Sequence, residues 1–150
     1  SGNDQMNPDS NVNAAFNPLY GTNHKFNGLM DYFYVGNHAN NVGLADLYVN
    51  YKFKMSDKAI INAAYHMFSS DGELMDPATQ KAADKSLGSE VDIVFVYKVN
   101  SDVGIKAGYS QLFASESMQI LKGGDKDETQ NWGWVMLTVK PTFFVQAFKK

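Results

Sequence analysis

The chain has 150 residues and contains no cysteine. It therefore cannot form disulfides, thiolate metal sites or a cysteine nucleophile. It also lacks an excess of either charge, because 13 basic residues stand against 16 acidic ones and no basic run occurs. This balance argues against nucleic acid as a partner. Ten phenylalanines, eight tyrosines and two tryptophans argue against a disordered chain.

Long apolar runs are missing as well, and the mean hydropathy is −0.33. The longest stretches without Asp, Glu, Lys or Arg cover residues 10–24 and 32–45, and both are rich in Asn, Gly and Tyr. A membrane-spanning helix needs about 20 mostly apolar residues, so a helical membrane protein is excluded. A membrane β-barrel is not excluded, because only alternate residues of its strands contact lipid.

The chain begins at Ser1 without a methionine, so we expect a processed chain or a fragment. Residues 1–24 are polar, rich in Asn and contain Pro8 and Pro18, which predicts an irregular segment. Residues 25–144 are predicted to form a single, incomplete β domain. Residues 145–150 are assigned to a C-terminal tail.

Alternation of apolar and polar residues with a period of two predicts β-strands over most of the chain. The alternation is clear over residues 45–53, 59–67, 91–99 and 103–111, and weaker over residues 25–35 and 130–140. Short polar breaks at residues 55–58 and 100–102 join the clear segments into two hairpins.

The connections alternate in length. Two short turns contrast with connections over residues 70–88 and 114–128, which are long for a compact soluble domain. Each long connection is expected to hold a helical turn, one beginning at Asp76-Pro77 and one running from Ser115 to Lys122 before Gly123-Gly124. Strict alternation places both long connections at one end of the sheet, as in outer-membrane barrels.

The clear strands have about 10 to 12 residues, whereas strands average about five or six in soluble proteins. A tilted strand that crosses a membrane needs about 9 to 11 residues. The predicted fold class is therefore all-β, an antiparallel up-and-down transmembrane β-barrel with short turns on one side and long loops on the other. A soluble sheet with one wet face stays open as an alternative, because core-facing and lipid-facing rows have the same periodicity. In both cases Leu47, Val49, Ile61, Ile93 and Phe95 form part of the apolar row.

Three segments resemble a known family. The first is Phe16-Asn17-Pro18-Leu19-Tyr20-Gly21-Thr22-Asn23-His24-Lys25-Phe26 with its continuation to Asn37. The second covers residues 107–118 with Gly123-Gly124, and the third covers residues 131–144, which begin Asn131-Trp132-Gly133-Trp134. On these segments the chain is similar to the alginate export (AlgE-like) family of outer-membrane β-barrel porins, in the form found in Bacteroidetes. The resemblance covers about residues 14–144. Family members are longer, so it implies the C-terminal portion of a larger barrel.

The resemblance implies a passive channel in the bacterial outer membrane for a small hydrophilic solute or oligosaccharide, with no enzymatic activity and no cofactor. The partners would be the lipid bilayer, the solute and the remaining barrel strands. Those strands are needed because six or seven are predicted here and single-chain barrels have at least eight. They would lie on the same chain, on another chain or on further copies.

Two alternatives stay open. One is a soluble or surface β-sheet binding domain whose long loops recognise a glycan or a protein. The other is an accessory subunit that completes another protein's barrel.

The polar row of the predicted strands would line the pore, and its mixed charges would set the selectivity. Its members are Asp46, Tyr48, Asn50, Lys52, Asn62, His66, Glu90, Asp92, Lys98, Lys106 and Ser110. Asp92 and Lys106, on neighbouring strands, are candidates for a cross-strand ion pair.

A candidate solute-binding loop contains Asn23, His24, Lys25 and Asp31, with Lys25 as the cation. The three histidines show no metal-ligand spacing, so no metal site is expected. No nucleophile-elbow, phosphate-loop or dinucleotide motif occurs, and no enzyme is expected.

Overall fold

A computed structural model describes residues 2–9, 11–16 and 26–143, and within them the protein is all-β, with few helices. Its elements in chain order are α1 (Val35–His38), β1 (Ala45–Lys54), β2 (Ala59–Ser69), β3 (Met75–Asp76), β4 (Lys81–Ala82), β5 (Ser86–Lys98), β6 (Val103–Ala114), α2 (Glu116–Lys122) and β7 (Gln130–Val139). The assigned tail at 145–150 and residues 17–24 of the predicted irregular segment lie outside the described residues.

Five long strands form one antiparallel sheet in the order β1-β2-β5-β6-β7, so each long strand pairs with the next long strand along the chain. β3 and β4 form a separate hairpin inside the connection from β2 to β5. The five strands predicted over residues 45–67, 91–111 and 130–140 are therefore confirmed. Within the described residues, β1 and β7 are the two edges of the sheet.

Side chains of the short turns stabilise both hairpins. The Ser56 hydroxyl accepts hydrogen bonds from the amides of Lys58 (3.2 Å) and Ala59 (3.1 Å) before β2 begins. Asn100 Oδ1 accepts from the amides of Asp102 and Val103, each at 2.8 Å, before β6 begins. Ser and Asn favour such turns because their short side chains reach the backbone two or three residues ahead.

The register aligns the apolar rows of all five strands on one side of the sheet, which we call the apolar face. It carries Leu47, Val49, Tyr51, Phe53, Ile61, Tyr65, Met67, Ile93, Phe95, Tyr109, Val135, Leu137 and Val139. Successive side chains of a strand point to opposite sides. The opposite side, the polar face, therefore carries the polar row predicted from the sequence.

The two long connections lie at the same end of the sheet, as the alternation in length predicts. At Asp76-Pro77 the chain makes a single helical turn and no longer helix: the amide of Gln80 donates to the carbonyl of Asp76 at 2.9 Å, and this turn closes the β3–β4 hairpin. Asp76 Oδ1 accepts from the amide of Ala78 (2.9 Å) and Asp76 Oδ2 from the hydroxyl of Thr79 (2.7 Å). Proline at the second position of a turn suits such a reversal as well as it suits a helix start.

Helix α2 confirms the second expected helical turn. Ser115 is its N-cap, and the Ser115 hydroxyl accepts from the amide of Met118 at 3.1 Å. Gly123 ends the helix at φ 77°, and its amide donates to the carbonyl of Gln119 at 2.8 Å. A left-handed residue favours glycine because it has no Cβ.

The strand expected over residues 25–35 was wrong for its described part. Residues 26–34 form turns, and α1 follows. Asn27 (φ 64°), Gly28 (φ 82°) and Asp31 (φ 57°) have left-handed backbones, whereas a regular β-strand is built from extended residues with negative φ. We call residues 26–44 the crossing segment, because they lie against the polar face before the chain enters β1.

The hydrophobic core lies on the polar side of the sheet, at the end of the long connections. It consists of Phe33 from the crossing segment, Phe68, Leu87 and Leu112 from the sheet, and Met118 from α2. The apolar face, by contrast, is exposed, with Leu47 at 67% and Val135 at 77%. A soluble one-layer sheet normally has the reverse arrangement, with its apolar side packed and its polar side in water.

Candidate functional site: the polar face of the sheet

The polar face divides into two halves along the strands. Near the long connections, the crossing segment covers a sealed half formed by Asp46, His66, Glu90, Asp92 and Ser110. Towards the short turns lies an open half formed by Tyr48, Asn50, Lys52, Asn62, Lys98 and Lys106. All eleven predicted pore-lining residues therefore share one face, but five of them are shielded from solvent.

His66 joins two carboxylates in the sealed half. Its Nδ1 lies 2.9 Å from Asp46 Oδ2, and its Nε2 lies 3.8 Å from Asp92 Oδ2. The ring also stacks on Tyr48 and Phe68, with centroid distances of 5.2 Å and 5.6 Å. The imidazole is thus held by an acidic neighbour at each ring nitrogen and by two stacked aromatic rings.

Asp92 is the central acceptor of this cluster. Its Oδ1 accepts a hydrogen bond from the Ser110 hydroxyl, and Oδ2 accepts from the amide of Leu29 at 3.3 Å. The register explains the first contact, because Asp92 and Ser110 are direct partners across β5 and β6. Lys106 lies opposite Val96 instead, so the predicted pairing of Asp92 with Lys106 was wrong.

Glu90 is fully buried beneath the crossing segment. Its Oε1 accepts a hydrogen bond from the amide of Met30 at 2.9 Å, whereas Oε2 has no hydrogen-bond partner in the described part of the chain. A buried carboxyl group is costly to leave unsatisfied, so its contact with the segment is a strong constraint on the local structure.

The candidate solute-binding loop lies mostly outside the described residues, which exclude Asn23, His24 and Lys25. Asp31 is described and sits in a left-handed turn of the crossing segment. Its carbonyl accepts from the side-chain amide of Asn37 at 2.8 Å. This contact joins the turn to α1.

A cavity of about 230 Å³ opens beside the crossing segment at the C-terminal end of α2. Tyr32, Met118, Lys122, Gly124 and Gln130 contribute to its wall. The cavity could not be predicted from the sequence, because Tyr32 is about 80 positions away from the rest of its wall, which comes from residues 114–130. Most of its polar groups bond within the protein, as Gln130 Nε2 does to the carbonyl of Asp125 at 3.3 Å.

Lys122 is half-buried beside this cavity. Its Nζ donates to the carbonyl of Asn37 at 2.7 Å and lies 5.4 Å from the centre of the Phe33 ring. Burial lowers the pKa of Lys122 to about 8. Burial also lowers the pKa of His38, whose Nε2 lies 3.1 Å from the carbonyl of Gly43, and the Lys122 charge lowers it further.

The lowered pKa of Lys122 predicts a rise in stability with pH. Between about pH 8 and the ordinary value of 10.5, the unfolded state binds the proton and the folded state does not, so folding becomes more favourable as pH rises. We expect this rise in the free energy of unfolding to disappear in Lys122→Met. Urea titrations on either side of about pH 8 measure it. Lys126→Met, which removes a partly exposed amine paired with Asp127, is the control and should leave the rise in place.

Within the described residues, no helix is long and apolar enough to cross a membrane. The same residues contain no group of three or more His, Cys, Asp or Glu side chains that could hold a metal ion.

Fold and site together define an antiparallel all-β protein with an exposed apolar face and a partly covered polar face. Comparisons of the chain with family models, with curated proteins and with solved structures gave no match. The resemblance to the alginate export family therefore stays a hypothesis.

Proposed function

We propose that the chain forms part of the wall of an outer-membrane β-barrel channel, through which small hydrophilic solutes or oligosaccharides pass passively. The arrangement of the two faces carries this proposal. Side chains such as Leu47, Val49 and Val135 are more than half exposed on the apolar face, while the packed core lies on the polar side. In a barrel, lipid covers an outer apolar face, and the polar face surrounds the lumen.

The dimensions of the strands support the same proposal. The five long strands have 10 to 13 residues, which suits a tilted strand crossing a bilayer. The short turns and the long connections occupy opposite ends, as the periplasmic and extracellular ends of such barrels do. The proposed location is the bacterial outer membrane, the partners are its lipids and the strands that complete the barrel, and no cofactor is invoked.

The charges of the polar face bear on the solute. Its acids, Asp46, Glu90 and Asp92, lie in the sealed half, whereas Lys52, Lys98 and Lys106 are exposed in the open half. Fixed positive charge along a lumen attracts anions. The polar row has mixed charge as a whole, but its exposed part is cationic. We therefore propose that the channel prefers anions.

The test starts from cells that make the protein. Their membranes are separated from the soluble fraction, and the protein is extracted with detergent and added to planar lipid bilayers. We expect it in the outer-membrane fraction, and we expect stepwise ion currents. A protein that stays in the soluble fraction and is monodisperse without detergent contradicts the proposal. That result would favour the alternative of a binding domain with recognition loops.

Reversal potentials in a KCl gradient test the preference for anions. We expect the wild-type channel to favour chloride, and we expect Lys52→Glu combined with Lys106→Glu to lower or invert that preference. Lys81→Glu changes an exposed charge in the β3–β4 hairpin and serves as the matched control. A wild-type channel that favours potassium would contradict the charge assignment.

A further inference from the structure

Two buried acidic side chains hold the crossing segment on the polar face. Glu90 and Asp92 are 0% and 3% exposed, and they accept hydrogen bonds from the amides of Met30 and Leu29. These contacts join residues about 60 positions apart in the chain. A buried polar group is costly to leave without a partner, so these contacts hold the segment more firmly than exposed loop contacts do.

Gly28 lets the backbone of the crossing segment approach strand β5. Its φ is 82°, and a Cβ added there would lie 2.5 Å from Glu90 Oε1. A larger residue would therefore be strained by its backbone angle and would also collide with the carboxylate. Glycine is needed at this position because the backbone of the crossing segment is in direct contact with the Glu90 side chain of β5.

Apolar contacts extend the anchored region beyond the carboxylates. Phe33 packs on Phe68 with a centroid distance of 4.7 Å, and both side chains are almost fully buried. Met30 and Tyr32 pack against the same cluster. Hydrogen bonds and apolar packing together fix the segment along the sealed half, while the open half stays uncovered.

We propose that the crossing segment is the constriction that limits the size of solutes, with Glu90 and Asp92 as the residues that position it. This inference rests on the proposed channel function. In a barrel the polar face bounds the lumen, and a second layer of chain packs about 10 Å from a sheet. The segment therefore narrows the passage beside the sealed half.

Single cysteine substitutions test whether the crossing segment covers the sealed half, since the chain has no cysteine of its own. Ser110→Cys places a thiol beneath the segment, and Asn50→Cys places one in the open half. We expect a membrane-impermeant methanethiosulfonate reagent to modify Ser110→Cys more slowly than Asn50→Cys by about tenfold or more, because modification requires local opening. Leu112→Cys, at a position 2% exposed, is a second covered site in case Ser110→Cys does not assemble.

Removing an anchor tests the constriction itself. In Glu90→Ala we expect the thiol of Ser110→Cys to become accessible, and we expect the size limit for uncharged saccharides in liposome-swelling assays to change. Glu90→Gln keeps an oxygen that accepts from the Met30 amide, so it should retain the wild-type size limit and the protection. Gly28→Val disrupts the same contact from the segment side and should act like Glu90→Ala.

The outcomes separate this inference from the channel proposal. Absence of current in the wild-type protein contradicts the channel. Normal current with equally reactive thiols at positions 110 and 50 contradicts only the constriction. A Glu90→Ala channel with unchanged protection and an unchanged size limit shows that Glu90 does not position the segment. The cysteine comparison in the otherwise unchanged chain remains decisive if Glu90→Ala fails to assemble.

Discussion

Val49→Arg is expected to prevent assembly of the protein into the outer membrane. Val49 lies in the middle of β1 on the apolar face and is 63% exposed. In the proposed barrel it contacts lipid, where an arginine near the bilayer midplane costs about 2 to 4 kcal/mol. The assay is the amount of folded protein in the outer-membrane fraction, detected by its altered migration in unheated gel samples.

Asn50→Arg is the matched control for this experiment. Asn50 is the next residue of the same strand, it is exposed, and it lies on the polar face. Its replacement should leave assembly intact and should change only the conductance. If Val49→Arg and Asn50→Arg are tolerated equally, the assignment of the two faces to lipid and lumen is wrong. A soluble binding domain would tolerate both changes.

Asp92→Ala is expected to lower the free energy of unfolding by about 3 kcal/mol, because two hydrogen-bond donors lose their acceptor and a buried histidine loses a close acidic neighbour. The donors are the hydroxyl of Ser110 and the amide of Leu29, and the histidine is His66, whose Nε2 lies 3.8 Å from Asp92 Oδ2. Urea titration of the protein in detergent, followed by tryptophan fluorescence, measures the loss.

Asp57→Ala provides the contrast for Asp92→Ala. Asp57 also forms a close ion pair, with Lys54 at 2.7 Å, but its side chain is 94% exposed. An exposed pair gains little over hydration by water, so no measurable change is expected. Equal losses in the two variants would contradict the idea that burial of the Asp92 cluster holds this end of the sheet.

The strands could be predicted because the alternation of apolar and polar residues that produces them is local and periodic. Leu47, Val49 and their partners alternate with polar residues over ten or more positions, and Ser56 and Asn100 mark the turns between them. Helix α2 was predictable for the same reason, since its cap, Ser115, and its terminating Gly123 lie within the segment itself.

The strand predicted over residues 25–35 was wrong for residues 26–34 because the weak alternation of apolar and polar residues there does not reflect the backbone conformation. Asn27 and Asp31 adopt left-handed backbones, as asparagine and aspartate sometimes do, and nothing in their own positions fixes that choice. Gly28 was the one visible sign, since a glycine inside a strand pattern often marks close backbone approach. The sealed half could not be predicted, because Glu90 and Asp92 find their donors in Met30 and Leu29, far away in sequence.

The number of strands in the sheet has a consequence for assembly. Four antiparallel pairings separate β1 from β7, so these two edge strands run in the same direction. If identical copies formed a ring around a common axis, each β7 would meet the next β1 in parallel, unlike the junctions of antiparallel bacterial barrels.

A pair of copies related by a two-fold axis across the sheet would restore antiparallel junctions. It would also place the long connections of the two copies on opposite sides of the membrane. In the proposed barrel, copies of this five-stranded sheet would therefore not give a single orientation. An odd number of strands beyond the five found in the described residues would complete it, and at least three would be needed to reach the smallest known size of eight.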